Sequence, residues 1–203
     1  AVAVSGDTVV IPFPSGEILA TYPQGGLPRW TNVVAGDRLG RAVTLVSDIA
    51  GAPVIDAGRV YAASFGGRSV AFDIRNGSRI WTAGEGAVGP IWPAGGSLFM
   101  VNDISELVRL DAATGAPVWR VDLPDFAGDN TGRQRSVIAH FGPVLAGGRL
   151  ILASSDGLIR QFDPASGALI GTIALPGGAA SAPVVAGQTL YVISKTGQLH
   201  AFR

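Results

Sequence analysis

The chain has 203 residues with 15 basic and 15 acidic side chains, so its formal net charge is zero. A nucleic-acid surface needs clustered Lys and Arg, so the balanced charge argues against such a partner. The chain contains no cysteine, which excludes disulfides, thiolate metal sites and cysteine nucleophiles within it. Its 29 glycines and 13 prolines favour short strands joined by tight turns over helices.

Five similar stretches follow one another along the chain, aligned on equivalent positions at Val2, Pro53, Pro90, Pro143 and Pro183. In each, a first short apolar strand follows the proline position, and glycine turns separate it from two further apolar strands. All but the last continue through a further turn into a fourth strand. Four strands in roughly 40 residues predict an all-β fold of β-propeller blades. We expect one partial propeller spanning 1–203, with blades at about 1–34, 49–86, 87–123, 139–176 and 177–203.

Two insertions interrupt the regular spacing, at about 35–48 and 124–138. Both fall between the fourth strand of one blade and the first strand of the next. In a propeller these connections run across one face, where partners can bind. The second insertion is equally consistent with a solvated loop that has no role.

An outer-corner motif recurs between the third and fourth strands, with an Asp four residues before a Gly. The pairs are Asp73 and Gly77, Asp111 and Gly115, and Asp163 and Gly167. An Asp opening a turn accepts backbone N–H groups, and Gly supplies positive φ. Trp81 and Trp119 follow eight residues after the Asp, as Trp30 follows Tyr22. We predict that these rings seal the seams between neighbouring blades, and that stacking on a ligand is the lesser alternative. The fourth repeat has Gly171 in the Trp position.

No pattern in the sequence supports catalysis. His140 and His200 are isolated on predicted strands, and neither has a second His at metal-ligand spacing. No nucleophile-elbow motif is present, and most carboxylates fall in turns. We therefore expect no catalytic residue, no metal site and no cofactor.

The corner "LDAATGAPVW" at 110–119 resembles the repeats of quinoprotein-type propellers. The quinoprotein dehydrogenases add an adjacent-cysteine ring and calcium-binding carboxylates, and this chain has no cysteine. A fragment of a quinoprotein-like, PQQ-dependent dehydrogenase is therefore an alternative interpretation. A substrate-binding propeller of another envelope system is a further one.

The stretch "LVSDIAGAPVIDAGRVYAAS" at 45–64 and the ending "GQTLYVISKTGQLHAFR" at 187–203 resemble the BamB family of outer-membrane assembly lipoproteins. The resemblance covers essentially the whole chain. It implies that the chain is the C-terminal portion, about five blades, of an eight-bladed ring. It further implies a non-enzymatic scaffold of the β-barrel assembly machinery, which aids assembly and insertion of outer-membrane proteins.

The same resemblance implies partners and a location. The partners are the POTRA domains of BamA and possible unfolded outer-membrane proteins. The location is the periplasm, at the inner face of the outer membrane, through a lipid anchor that is absent from this chain. The family's acidic loop contacts BamA and corresponds here to Asp48, flanked by Ser47 and Ile49, so the resemblance implies that these three residues bind the partner. The second acidic position of that loop is Ala50 in this chain. A turn-capping role is the alternative for Asp48.

Overall fold

The computed structural model describes residues 1–34, 49, 51–126 and 137–203. Regular secondary structure within these residues consists of nineteen β-strands, without a helix. Residues 35–48, which include Ser47 and Asp48, lie outside the described residues, as do residue 50 and residues 127–136 of the second insertion.

Strands β1 to β8 form the first two sheets, each with four strands in chain order. The first sheet contains β1 (Ala3–Ser5), β2 (Thr8–Pro12), β3 (Glu17–Thr21) and β4 (Pro28–Val33). The second sheet contains β5 (Val54–Asp56), β6 (Arg59–Ser64), β7 (Arg68–Asp73) and β8 (Arg79–Ala83).

The remaining strands form two further four-stranded sheets and one three-stranded sheet. The third sheet contains β9 (Trp92–Ala94), β10 (Ser97–Val101), β11 (Glu106–Asp111) and β12 (Pro117–Asp122). The fourth contains β13 (His140–Ala146), β14 (Arg149–Ser154), β15 (Leu158–Phe162) and β16 (Leu169–Ala174). The fifth contains β17 (Val184–Ala186), β18 (Thr189–Ile193) and β19 (Leu199–Phe202).

Two-residue turns join the first and second strands of the repeats. In the second sheet, Ala57 and Gly58 have φ of 47° and 75°. In the fourth sheet, Gly147 and Gly148 have φ of 55° and 72°. Positive φ at both central residues is the type I′ geometry, whose twist matches that of paired strands. The small residues at these positions therefore favour the register of these two hairpins.

The register shifts by one residue where the third strand meets the fourth. The shift falls between Ala20 and Thr21, between Ala71 and Phe72, and between Gln161 and Phe162. Such β-bulges increase local twist and redirect the chain. The extra residue lies on the fourth strand each time, at Arg29, Ile80 and Ile170, so each of these fourth strands begins with a bulge directly after the corner turn.

Strand β13 differs from the sequence expectation of a strand that starts after the proline. It begins at His140, ahead of Pro143, and pairs with β14 on both sides of a bulge between Phe141 and Val144. Gly142, with φ of 116°, lies inside this bulge. The irregular backbone lets the strand continue through Pro143, which has no N–H to donate.

The described chain divides into two compact units. The first comprises Ala1–Ile104 and Arg109–Val118, and the second comprises Ser105–Val108 and Trp119–Arg203. Strands β6, β10 and β14 are buried at nearly every position, so both faces of their sheets are covered there. In the first unit a buried cluster is formed by Val10, Ile18, Ala20, Trp30, Val34, Val60, Ala62, Val70 and Phe72. In the second unit another is formed by Ile151, Ala153, Ile159, Leu175, Ala179, Leu190 and Val192.

The predicted fold class is confirmed: an all-β propeller type built from antiparallel blades of up to four strands. Successive sheets pack face to face within a unit through the buried clusters just described. The number of blades in a complete ring stays a prediction.

Candidate partner-binding site

The segment predicted to bind a partner is described only at its end. Ser47 and Asp48 lie outside the described residues, whereas Ile49 forms an isolated antiparallel bridge with Ser64, at the end of β6. Ile49 is half-buried and packs against the core of the first unit. Its side chain is therefore committed to the fold, and it anchors the end of the first insertion.

The partner of Ile49 is itself firmly held. Ser64 is fully buried, and its carbonyl accepts the N–H of Ala87 at 3.2 Å. Two residues after Ile49, a Cβ added to Gly51 would lie 3.0 Å from the carbonyl oxygen of Gly89. A larger residue at Gly51 would therefore require the neighbouring backbone to shift by a few tenths of an ångström.

The second insertion has a described base in the second unit. Phe126 and Val137 form an isolated antiparallel bridge, and Ile138 N–H donates to the Asp125 carbonyl at 2.8 Å. Phe126 is 39% exposed and Val137 is 71% exposed. The base is therefore a short two-stranded stem that presents two apolar side chains to solvent.

A buried histidine ties this stem to the fourth sheet. His140 Nε2 lies 3.0 Å from the Pro124 carbonyl, and Nδ1 lies 2.8 Å from Ser154 Oγ. A carbonyl can only accept, so in the neutral ring Nε2 carries the proton and Nδ1 accepts from the Ser154 hydroxyl. Both His140 and Ser154 are buried, which indicates a structural rather than a nucleophilic pair.

The electrostatic surroundings keep this histidine neutral. Burial lowers the pKa of His140 below its ordinary value of 6.5, and the nearby Arg160 guanidinium lowers it too. The Pro124 carbonyl and the carboxylates of Asp156 and Asp125 act in the opposite direction. Arg160 itself is buried and pairs with Asp156 through two hydrogen bonds, at 3.2 and 2.5 Å. Although burial raises the pKa of Asp156, this pairing holds it below 3.8.

The predicted corner residues share one geometry. In the second repeat, Asp73 accepts the N–H of Arg75, and in the third, Asp111 accepts those of Ala113 and Thr114. Asp163 accepts the N–H groups of Ala165 and Ser166 in the same way. The glycines at the end of the turns, Gly77, Gly115 and Gly167, have φ of 72°, 74° and 77°.

These hydrogen bonds favour the ionised carboxylates. The Arg75 side chain, followed by its backbone N–H, lowers the pKa of Asp73 to about 2. The pKa of Asp111 is lowered chiefly by the Thr114 hydroxyl, and that of Asp163 by the Ser166 hydroxyl. The corner aspartates therefore act as turn-closing acceptors.

Each corner tryptophan lies over the corner turn of the next repeat in the chain. A Cβ added to Gly77 would lie 2.6 Å from the Trp30 ring, and one added to Gly115 would lie 2.5 Å from the Trp81 ring. At Gly167 the nearest atoms belong to Val121, at 2.9 Å, and to the Trp119 ring, at 3.0 Å. Close approach of the indole thus requires glycine in addition to positive φ.

A backbone acceptor completes each contact, and the sequence pattern did not reveal it. The indole N–H groups of Trp30, Trp81 and Trp119 donate to the carbonyls of Ile74, Ala112 and Pro164, at 2.9, 3.1 and 3.3 Å. In each case the acceptor is the residue directly after the corner Asp. Because any residue type can supply a backbone carbonyl, the amino acid at the acceptor position does not reveal the contact. Only its constant position, directly after the corner Asp, could have done so. In the fourth repeat, no described atom lies within 4 Å of a Cβ added to Gly171.

The described ranges lack a cluster of metal-binding side chains and a membrane-spanning helix. Within 1–34, 49, 51–126 and 137–203, no three His, Asp or Glu side chains gather at metal-binding distance. In the same part of the chain, no helix is long and apolar enough to cross a membrane.

Nearly the whole chain is similar in sequence to one known protein family. The sequence profile described as "Outer membrane protein assembly factor BamB" matches residues 1–121 and 105–203. The protein of that name from Burkholderia pseudomallei is 27% identical over 98% of this chain and 50% of its own length. The chain thus spans about half the length of the curated relatives it matches.

Solved structures show the same fold. The crystal structure of BamB from Moraxella catarrhalis superposes with a TM-score of 0.79 at 21% identity, over 98% of this chain and 56% of that one. A quinohemoprotein alcohol dehydrogenase from Pseudomonas putida gives 0.60 at 19% identity, over 85% and 34%. Identities this low establish the fold alone. The family profile extends from residue 1 to residue 203, and the chain therefore belongs to the outer membrane protein assembly factor BamB family.

Proposed function

We propose that the chain is part of a non-enzymatic scaffold of the β-barrel assembly machinery, which binds the POTRA domains of BamA and aids outer-membrane protein assembly and insertion. The observation that carries this proposal is the family match along the whole chain. Relatives of both high and moderate coverage bear the name of an assembly factor. The location that follows is the periplasmic face of the outer membrane.

The fixed position of Ile49, at the end of the first insertion, indicates which neighbouring residues are free to contact the partner. Ile49 is held by its bridge to Ser64 and by core packing, so its role is to fix the loop. Contact with the partner then falls to Asp48 and Ser47, directly ahead of this anchor. A loop that emerges from a rigid base loses less conformational entropy on binding, which favours affinity.

Charge gives the contact its specificity. Asp48 is an anion and suits a Lys or Arg of the partner, and like charge opposite it would be repulsive. Ala50 stands where the family's acidic loop has a second acidic residue. We therefore expect one ion pair at this position.

The stem of the second insertion is a secondary candidate contact. Phe126 and Val137 are exposed and adjacent, and His140 holds the stem on the fourth sheet. Exposed apolar side chains next to one another favour a protein partner. This stem is proposed to support binding and Asp48 to direct it.

The test is binding of the full-length protein to the isolated POTRA domains of its own BamA. Asp48→Arg is compared with Asp56→Arg, an exposed residue of β5 that undergoes the same change of charge. We expect a loss of at least tenfold in affinity for Asp48→Arg and an unchanged affinity for Asp56→Arg. Equal affinities of both variants would refute the role of Asp48. Absence of binding by the unmodified protein would refute the proposed partner.

A further inference from the structure

The residue before the corner glycine differs among the three turns. In each turn its side chain accepts the backbone N–H two residues ahead, at 3.2, 3.3 and 2.9 Å; these residues are Thr114, Ser166 and Asn76. The first two carry a hydroxyl, whereas Asn76 carries a carboxamide. Because the carboxamide carbon is an electrophile, Asn76 is the one of the three whose side chain can react with its own main chain.

Asn76 is followed by Gly77, and this is the one Asn–Gly pair in the sequence. The main-chain nitrogen of the residue after an asparagine can attack the carboxamide carbon, and asparagine is a thermolabile residue for this reason. Glycine has no side chain to hinder the approach, so an Asn–Gly pair reacts faster than other pairs. Asn76 is exposed, so the solvent can supply the water that the reaction consumes.

The reaction needs only the chain itself and water. The nitrogen of Gly77 forms a bond to Cγ of Asn76, the bond from Cγ to Nδ2 breaks, and ammonia leaves. The product is a five-membered succinimide ring. Water then opens the ring at either carbonyl, which gives aspartate or isoaspartate at position 76. Nothing is oxidised or reduced in either step.

The folded corner holds both reacting groups away from this reaction. Gly77 N–H donates to the Asp73 carbonyl at 2.9 Å, so the attacking nitrogen is engaged. The Asn76 carboxamide oxygen accepts from Ser78 N–H at 2.9 Å, which directs the side chain towards Ser78. Attack requires the main chain between Asn76 and Gly77 to rotate. Trp30 opposes this rotation, since its ring lies only 2.6 Å from a Cβ added to Gly77.

Two side chains of β4 hold the same corner in place. Asn32 Nδ2 donates to the Gly77 carbonyl at 2.7 Å. The Trp30 indole donates to the Ile74 carbonyl at 2.9 Å, earlier in the turn. The corner therefore opens only when these contacts from the first sheet break, and such local opening occurs in folded proteins without global unfolding.

We propose that Asn76 is a deamidation site whose reaction with Gly77 is controlled by opening of the second corner. The folded turn suppresses the reaction, and each opening of the turn permits it. The isoaspartate product has one additional main-chain carbon, which lengthens the turn by about 1.5 Å. Gly77 then no longer fits under the Trp30 ring, so the modification loosens the contact between the first two sheets.

The test follows the peptide that contains Asn76, by mass spectrometry, in the full-length protein kept at mildly alkaline pH. We expect the folded protein to deamidate at least about tenfold more slowly than the protein unfolded in guanidinium chloride. Equal rates would overturn the protection by the corner, and the absence of reaction in the unfolded protein would overturn the site. Asn76→Thr, which introduces the residue type of the third corner, should give no product; a product in this variant would place the reaction elsewhere.

Two tryptophan variants locate the opening that controls the rate. Trp30→Phe weakens the second corner, and Trp119→Phe weakens the fourth, where Ser166 precedes the glycine. We expect Trp30→Phe to accelerate deamidation of the folded protein at least about fivefold and Trp119→Phe to leave the rate unchanged. Equal acceleration by both variants would mean that unfolding of the whole chain exposes Asn76, and it would overturn the control by the second corner. An unchanged rate in Trp30→Phe would overturn it as well.

Discussion

The outer corners of this protein share one set of contacts, whereas the bases of the two insertions are held by different contacts. The corners at Gly77, Gly115 and Gly167 repeat one arrangement, with the ring, the positive φ and the carbonyl acceptor in the same relation each time. The bases differ from one another: Ile49 is held by apolar packing, and the stem at Phe126 is held by a buried histidine. Repetition marks what the fold needs, and the unrepeated parts are where individual function can reside.

The largest loss in the free energy of unfolding is expected when a corner glycine is replaced. Gly115→Ala places a Cβ 2.5 Å from the Trp81 ring and forces alanine into φ of 74°. We expect a loss of about 3 kcal/mol in the free energy of unfolding, from overpacking plus left-handed strain. Urea denaturation measures it.

The matched control separates the two causes. Gly58 has φ of 75° with no described atom within 4 Å of an added Cβ, so Gly58→Ala should cost about 1 kcal/mol from strain alone. Equal losses for the two variants would mean that the ring contact does not constrain the corner.

A smaller effect is expected from the indole hydrogen bonds. Trp30→Phe loses the bond to the Ile74 carbonyl at 2.9 Å and leaves a gap beside Phe72. We expect a loss of about 1–2 kcal/mol in the free energy of unfolding. Trp119→Phe removes a longer bond of 3.3 Å from a less buried ring, so its loss should be smaller. The reverse order would contradict the assignment of these contacts.

The free energy of unfolding should depend on pH near neutrality through His140 at the base of the second insertion, whereas the corner aspartates should contribute no such dependence there. The pKa of His140 is lower folded than unfolded, so the unfolded chain takes up a proton first as the pH falls. The contribution of His140 is complete above pH 6.5 and is lost as the pH falls through the folded pKa. Thermal unfolding between pH 7.5 and 5 should show this decline.

One variant isolates the responsible histidine. His140→Gln should flatten the decline over this range, because the side chain of Gln does not titrate. An unchanged slope in His140→Gln would show that the stem is not held by this ring. Asp73, Asp111 and Asp163 influence stability only at lower pH, since the pKa of each lies below 3.8.

The smallest effect concerns a single corner carboxylate. Asp73 should titrate at a pKa of about 2, because the Arg75 side chain donates to it. Arg75→Ala should raise that pKa and leave the pKa of Asp111, which is lowered chiefly by Thr114, unaffected. NMR titration of the carboxyl carbons measures both, and a Asp73 pKa that does not respond to Arg75→Ala would assign the shift to the backbone N–H groups instead.

The repeated parts of the molecule could be predicted from the sequence more completely than the parts that occur once. The period of apolar strands and glycine turns predicts the sheets, because alternation and turn chemistry are local. The bulged start of β13 was missed because it depends on how Gly142 and Pro143 fit against β14, which is a property of two strands together.

The insertion bases depend on contacts without regular spacing. His140 meets Ser154, 14 residues later, and Pro124, 16 residues earlier, so no motif marks the three as a group. The bridge of Ile49 to Ser64 is likewise invisible to a pattern search, since a main-chain pairing does not specify residue type. Asp48 and Ser47 remain predictions from the family resemblance, and they lie outside the described residues.

Photo-crosslinking in living cells from position 48 tests directly whether the first insertion contacts BamA. A photoreactive amino acid replaces Asp48 in one strain and the exposed Asp56 in another. We expect an adduct with BamA from position 48 and none from position 56. Adducts with BamA from neither position, in cells where the protein accumulates normally, would contradict the proposed scaffold contact.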